Sequence, residues 1–140
     1  MDAMEVLTNL EYLQPYFQPI FSADEHEVIG YEILARYVNG SSVESLGPFF
    51  QDNSIPEEYR IEVDNHILEI ALAKIKSMND DLLIFINRDP NLLMLDHGEN
   101  FLEIVKKYFA EEQLSRIVIE LSETKFDGDT DSLHHLLTYY

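Results

Sequence analysis

The chain contains no cysteine and no tryptophan, and only 9 lysines and arginines stand against 27 aspartates and glutamates. The lack of cysteine excludes disulfides and thiolate metal sites. The formal net charge of −18 opposes binding to a nucleic-acid polymer, because no basic cluster relieves it. An anionic ligand would therefore need local positive charge, supplied by a metal ion or by a well-placed arginine.

Long apolar runs are also missing, which argues against a membrane span. Met1-Asp2 does not begin a typical signal peptide, so we expect a cytoplasmic location. The 140 residues suffice for one hydrophobic core but not for two comfortable domains. A hydrophobic content of 46% fits a soluble globular protein.

Apolar spacing predicts a lead-in helix, then a hairpin, then alternating helices and strands. Residues 1–15 form the lead-in, with a helix over 2–14 that Pro15 ends, and residues 16–140 form the first β/α units. A capping box of Ser54 and Glu57 predicts the start of a helix that runs to about Met78. The predicted strands are 16–21, 28–38, 82–87 and 117–120, and further helices are predicted around Phe49-Phe50, over 101–108 and after Asp129 or Thr130.

Two unbroken apolar strands that alternate with helices are typical of a parallel sheet covered on both faces. The hairpin in front adds one antiparallel pairing. A complete (β/α) barrel needs roughly 250 residues. The expected fold is therefore α/β, an incomplete TIM-like barrel with an antiparallel first strand.

Three consecutive predicted strands carry an oxygen ligand near their ends, namely Glu32, Asn87 and Glu120. Each has a simpler interpretation: Glu32 pairs with Arg36 on the same strand face, Asn87 caps the turn before Asp89-Pro90, and Glu120 begins a solvated loop. Together, two carboxylates and a carboxamide on one rim suit Mg²⁺ or Mn²⁺ and leave room for water and phosphate oxygens.

The chain carries four ordered blocks: Gln18-Pro19-Ile20, Gly30-Tyr31-Glu32-Ile33-Leu34-Ala35-Arg36, Asn87, and Glu120-Leu121-Ser122-Glu123. In order and spacing these blocks resemble the EAL family of cyclic di-GMP phosphodiesterases. The Glu-Ala-Leu signature of the family stands here as Glu32-Ile33-Leu34. The resemblance covers essentially the whole chain but only the first half or so of the family's domain.

The resemblance implies that Glu32, Asn87 and Glu120 ligate the catalytic metals. It also implies that Gln18, Leu34 and Arg36 contact the dinucleotide, Arg36 through a phosphate. Glu123 matches a family glutamate that steadies a catalytic loop. The implied reaction is two-metal hydrolysis of cyclic di-GMP to linear pGpG with Mg²⁺ or Mn²⁺, which Ca²⁺ is expected to inhibit.

The sequence also departs from the family pattern. Arg88-Asp89 replaces the usual small residue and serine after Asn87, and the family's paired aspartates and lysine belong to later strands. We therefore expect these residues alone to be inactive, the alternative being a cyclic di-GMP receptor that never cleaves. We also expect a homodimer or higher species, because an incomplete barrel exposes a strand edge and an apolar face. Its expected contacts are Leu133 to Leu137 and Tyr139-Tyr140.

Overall fold

A five-stranded mixed sheet organises the fold. The computed structural model describes residues 2–24, 26–78, 80–94 and 98–121. The strand order is β1-β2-β4-β5, and β3 pairs with β2 as well. β2 pairs antiparallel with β1 and β3, whereas the pairs β2–β4 and β4–β5 are parallel. The strands are β1 (Leu13–Phe21), β2 (Val28–Asn39), β3 (Ser42–Ser45), β4 (Leu83–Arg88) and β5 (Ile117–Leu121).

Helices fill the connections between these strands, as the sequence predicts for β/α units. The 22-residue α3 connects the hairpin region to β4, and α5 precedes β5. In the described ranges no helix is long and apolar enough to cross a membrane. The helices are α1 (Ala3–Thr8), α2 (Gly47–Gln51), α3 (Glu57–Met78), α4 (Pro90–Leu93) and α5 (Glu99–Tyr108), with 3-10 turns at Leu10–Tyr12 and Glu111–Arg116.

One face of the sheet forms the hydrophobic core with α3 and α5. Ile33, Ile84, Ile86 and Ile117 are buried on this face because side chains alternate along each strand. An ion pair of 2.7 Å between Lys107 Nζ of α5 and Glu69 Oε1 of α3 also joins the two helices. The core cluster continues with Val63, Ile67, Leu68, Ala71, Leu72 and Ile75 of α3 and with Phe101, Ile104 and Val105 of α5.

The lead-in helix is shorter than predicted. α1 ends at Thr8 because side chains satisfy its last carbonyls: Thr8 Oγ1 donates to Met4 O at 2.7 Å, and Asn9 Nδ2 donates to Glu5 O at 2.8 Å. Leu13 already belongs to β1, where it pairs with Tyr37. Strand pairing therefore takes over two residues before Pro15.

The predicted capping box at Ser54 is wrong. The Ser54 hydroxyl donates to Asp52 Oδ1 at 2.6 Å, and the Ser54 amide donates to the same atom at 2.9 Å. These two bonds are the main reason that the pKa of Asp52 is lowered. The helix α3 begins at Glu57, and the carbonyl of Pro56 accepts the first amide bonds from Tyr59 and Arg60.

The predicted self-association stays a prediction. Tyr16 and Phe21 of β1 and Val43 of β3 are exposed, which leaves apolar groups at the hairpin side of the sheet. The expected contacts at Leu133 to Leu137 and Tyr139-Tyr140, and the helix expected after Asp129 or Thr130, lie outside the described residues.

Close contact between β2 and β4 requires a glycine at position 30. A Cβ atom at Gly30 would lie 2.6 Å from the carbonyl oxygen of Leu83 and 2.8 Å from Cε2 of Phe85. Both distances are shorter than real Cβ contacts allow, and the carbonyl belongs to the paired backbone. Gly30 therefore permits the parallel register that places the ends of β2 and β4 side by side.

Replacement of Gly30 by alanine should destabilise the fold by about 1–3 kcal/mol, because the backbone of β4 must shift to relieve the overlap. Gly47→Ala is the matched control, since its Cβ would meet only Ser45 Oγ at 3.4 Å. That variant should stay within about 0.5 kcal/mol of the wild type. Urea denaturation measures both, and equal midpoints for the two variants would contradict the proposed close approach.

Candidate metal and dinucleotide site

Parallel pairing brings Glu32, Asn87 and Glu120 to one rim of the sheet. Glu32 pairs with Phe85, and Asn87 pairs with Glu120. Paired residues in a parallel sheet point to the same face, and Asn87 lies two residues beyond Phe85. All three polar side chains therefore share the face opposite the helices. Asn87 and Glu120 each lie one residue before the end of their strand, as predicted, whereas Glu32 lies inside β2, which continues to Asn39 because it also pairs with β3.

The three side chains also interact. Asn87 Nδ2 donates a hydrogen bond of 3.2 Å to Glu32 Oε2. Burial, a hydrogen bond with Glu32 and the negative charge of Glu32 together raise the pKa of Glu120 to about 7. Glu120 Oε1 is buried and has no hydrogen-bond partner among the residues that the structure describes. The rim thus holds two crowded carboxyl groups that a proton or a cation would stabilise.

The simpler interpretations of these residues do not describe the structure. Asp89 itself caps the turn after β4, since its Oδ1 accepts from the Asn91 amide at 2.8 Å. Glu120 lies within β5 instead of a loop. In the described ranges Arg36 forms no ion pair with Glu32, and its Nη1 donates to the Ala35 carbonyl at 2.9 Å.

The donor set suits a hard divalent cation but is small. Two carboxylates and one carboxamide are the ligand types that Mg²⁺ and Mn²⁺ prefer. However, no group of three or more His, Cys, Asp or Glu side chains among the described residues converges as a metal site. The rim therefore fits part of a coordination sphere.

A cavity of about 390 Å³ adjoins this rim. Leu34, Arg36 and Asn87 line it, with Asp64 and Arg88 on the helix side. Gln18 is exposed on β1, directly opposite Glu32 in the antiparallel register. These positions place Gln18, Leu34 and Arg36 beside the candidate metal ligands, whereas Glu123 lies outside the described residues.

Sequence reasoning did not assign a role to Arg88 or Asp64. Arg88 is only 8% exposed, and its Nη1 lies 3.0 Å from Asp64 Oδ1 of α3. Burial raises the pKa of Asp64, and the adjacent Arg88 charge opposes that rise. One feature of the sequence could have indicated the position of Arg88. Side chains alternate along a strand, so if Asn87 points to the rim, its neighbour Arg88 points toward the helices.

Glu120→Gln should stabilise the metal-free fold at pH 8 by about 1–2 kcal/mol, allowing for partial exposure. The pKa of Glu120 is raised from 4.5 to about 7, so the folded state binds more protons than the unfolded state between these values. Wild-type stability therefore falls as pH rises through that window. Urea titrations at pH 4.5 and pH 8 measure this effect.

Glu69→Gln serves as the control for that experiment. The pKa of Glu69 is lowered, chiefly by its hydrogen bond with Lys107, so this carboxylate contributes stability above its ordinary pKa and loses it on acidification. This variant should be slightly less stable than the wild type at pH 8, the opposite sign to Glu120→Gln. The same sign in both variants would refute the assignment.

Sequence and structure comparisons agree on the relatives of this chain. The family model described as EAL domain matches residues 3–139. The uncharacterized EAL-domain containing protein YkuI of Bacillus subtilis (strain 168) is 52% identical over 141 residues, which cover 100% of this chain and 35% of YkuI. The crystal structure of YkuI in complex with substrate c-di-GMP and calcium matches with a TM-score of 0.91 and 51% identity, over 99% of this chain and 35% of YkuI.

More distant structures share the fold. An EAL domain protein from Listeria monocytogenes EGD-e matches with a TM-score of 0.70 and 21% identity, over 98% of this chain and 57% of its own. The PaMucR phosphodiesterase in complex with c-di-GMP has a TM-score of 0.66 and 20% identity, over 91% of this chain and 54% of its own. The chain spans about a third of YkuI, and its sheet forms part of a TIM-like barrel. It belongs to the EAL domain family.

Proposed function

We propose that this chain contributes the first part of the metal- and dinucleotide-binding rim of a cyclic di-GMP phosphodiesterase. The approach of Glu120 to Glu32, with Asn87 hydrogen-bonded to the same carboxylate, carries this proposal. Two carboxylates side by side are costly in a metal-free protein, and a divalent cation offsets that cost. Membership in the EAL family supports the choice of substrate.

In the proposed site Glu32, Glu120 and the side-chain oxygen of Asn87 hold Mg²⁺ or Mn²⁺. A bound cation of this kind neutralises phosphate charge and lowers the pKa of coordinated water. Asn87 Nδ2 donates to Glu32 in the metal-free arrangement, so its amide must rotate to present oxygen. We also propose that calcium binds here without supporting turnover, because its coordination is longer and less rigid.

Arg36 supplies the positive charge that a dinucleotide phosphate needs. The chain carries a net charge of −18, so an anion is repelled unless a local cation attracts it. Arg36 lines the cavity beside Asn87, and its guanidinium keeps further donors available beyond the bond to Ala35. We assign Gln18 and Leu34 to the same ligand, as polar and apolar contacts next to Glu32.

A receptor that binds cyclic di-GMP without cleaving it is the second candidate. The observation in its favour is the small donor set, because the described residues bring only two carboxylates and one amide to the rim. The YkuI complex with substrate c-di-GMP and calcium is compatible with either role. Turnover with Mn²⁺ separates the two candidates.

We expect no hydrolysis of cyclic di-GMP by the 140 residues alone, and hydrolysis with Mn²⁺ by the natural polypeptide that contains them. In that polypeptide Glu32→Ala should lower kcat by about 10³-fold or more, since a metal ligand stabilises the transition state more than bound substrate. Product analysis by chromatography measures the pGpG formed. Binding of cyclic di-GMP without any turnover in Mn²⁺ would establish the receptor instead.

Arg36→Ala should act mainly on KM in the same polypeptide. The phosphate contact already exists in the ground state, and loss of a charge-assisted hydrogen bond of about 1.5–3 kcal/mol corresponds to roughly 10- to 100-fold in KM. Lys107→Ala removes an exposed positive charge paired with Glu69, away from the rim, and is the matched control. An equal rise of KM in both variants would show that the change comes from the net charge of the protein and not from a specific contact between Arg36 and phosphate.

A further inference from the structure

Arg88 joins three elements behind the candidate site. Its Nη1 donates to Asp64 Oδ1 of α3 at 3.0 Å and to the backbone carbonyl of Asn87 at 2.8 Å. Its guanidinium carbon lies 5.0 Å from the ring centroid of Phe101 in α5. One side chain therefore connects the last residues of β4 to both helices that cover the sheet.

The order of residues in β4 gives this contact its consequence. Asn87 and Arg88 are neighbours, so their side chains point to opposite faces of the sheet. On the helix side, Arg88 donates a hydrogen bond to the backbone carbonyl of Asn87. On the rim, the side-chain amide of Asn87 donates to Glu32. Any tilt of the end of β4 would move the Asn87 amide relative to Glu32.

We propose that Arg88 is a positioning residue that sets the orientation of Asn87 toward Glu32 and thereby the affinity of the rim for a divalent cation. The inference rests on the proposed function, because it treats Asn87 and Glu32 as metal ligands. Partners of metal ligands that fix ligand orientation typically change metal affinity by about 10- to 100-fold when removed. A small residue at position 88 would bury no charge but would reach neither Asp64 nor Phe101.

The guanidinium geometry explains why this position uses arginine. The two hydrogens of Nη1 reach a carboxylate and a carbonyl at the same time, and the guanidinium lies against an aromatic ring. Nη2 of Arg88 is buried and has no hydrogen-bond partner within the described part of the chain. An incompletely satisfied, buried guanidinium is a poor device for stability alone, which favours a role in fixing geometry.

A matched control, Arg116, lies just before β5 and contacts the segment that leads into β4. Arg116 pairs with Asp80 Oδ1 at 3.1 Å, donates from Nε to the carbonyl of Leu82 at 2.9 Å, and lies 5.5 Å from the ring centroid of Phe109. These are the same three kinds of contact, but they hold the residue before β4. Loss of the Arg116 set should cost stability without moving the rim.

The test compares two double variants of the chain. The first, called the Arg88 pair, is Arg88→Met/Asp64→Asn, and the second, called the Arg116 pair, is Arg116→Met/Asp80→Asn. Both double variants remove an ion pair together, so neither leaves a buried charge without its partner. Mn²⁺ binding is measured from the free Mn²⁺ signal in electron paramagnetic resonance. We expect the dissociation constant to rise at least about tenfold for the Arg88 pair and to change less than about twofold for the Arg116 pair.

A double-mutant cycle with Asn87→Ala distinguishes a specific effect of Arg88 on Asn87 from a general effect on the stability of the fold. In the Asn87→Ala background the Arg88 pair should change Mn²⁺ affinity less than about twofold, because the ligand that it orients is gone. A loss as large as in the wild-type background would overturn the inference. The inference would also be overturned if the wild type binds Mn²⁺ and the Arg88 pair binds it with the same affinity.

A metal-free measurement keeps this inference separate from the proposed function. The side-chain amide of Asn87 gives two proton resonances in a ¹⁵N-correlated spectrum, and the hydrogen bond to Glu32 sets their positions. We expect these resonances to move toward those of a free amide in the Arg88 pair and to stay in place in the Arg116 pair. If the wild-type chain binds no Mn²⁺, its partial site does not hold the ion alone; turnover by the natural polypeptide then decides the proposed function, and the amide resonances decide whether Arg88 positions Asn87.

Discussion

The parallel pairing of β2 with β4 is the constraint on which the rest of this structure depends. It requires the backbones to approach where a Cβ at Gly30 would touch the Leu83 carbonyl and the Phe85 ring. Once that register is set, Glu32 pairs with Phe85, and the β4–β5 register then places Glu120 opposite Asn87. A shift by one residue would turn Glu32 toward the core and Ile33 toward the rim. The glycine at the start of the signature block therefore acts on the site through the register of the sheet.

The rim shows how a site can conflict with the stability of its own scaffold. Glu120 is partly buried beside Glu32, and no described residue is a hydrogen-bond partner of its Oε1 atom. Elsewhere in the described part of the chain, carboxylates such as Glu69 and Asp80 have a basic partner within reach. The pKa of Asp64 is raised too, but there the Arg88 charge opposes the rise, whereas all the causes at Glu120 act in the same direction. Such local conflict is typical of functional sites.

The sequence predicted the elements whose apolar pattern is strong and continuous. The apolar runs that end at Asn87 and Glu120 predicted two strands, which the structure contains as β4 and β5. The helical spacing of Val63 and Ile67 predicted the helix α3. β3 was missed because Ser42–Ser45 is exposed throughout and Val43 is its one apolar residue, so no alternation of apolar and polar residues marks it. Its hairpin did carry a turn signal, since Gly40 has φ of 62° and begins a two-residue connection between Asn39 and Ser42.

The ends of elements were harder to predict because local side-chain bonds compete for the same backbone groups. Ser54 is a residue type that is common at N-caps. However, its hydroxyl and its amide both donate hydrogen bonds to Asp52, two residues earlier. Asn9 and Thr8 end α1 in the same manner, before the chain reaches Pro15. These choices depend on which partner lies closer in three dimensions, which spacing along the sequence does not specify.

Two buried or partly buried arginines that contact opposite ends of β4 extend this reasoning to the site: Arg88 is the last residue of β4, and Arg116 lies just before β5. Arg88 and Arg116 make equivalent contacts with a carboxylate, a carbonyl and a ring, yet only Arg88 adjoins a residue of the rim. Their chemistry is the same, so any difference in function must come from position along the strand. The carboxyl end of β4 bears the polar side chain that meets Glu32, and the amino end bears none of the candidate ligands. The same ion-pair geometry thus anchors the scaffold at one end of the strand and, by its place in the fold, orients a ligand at the other.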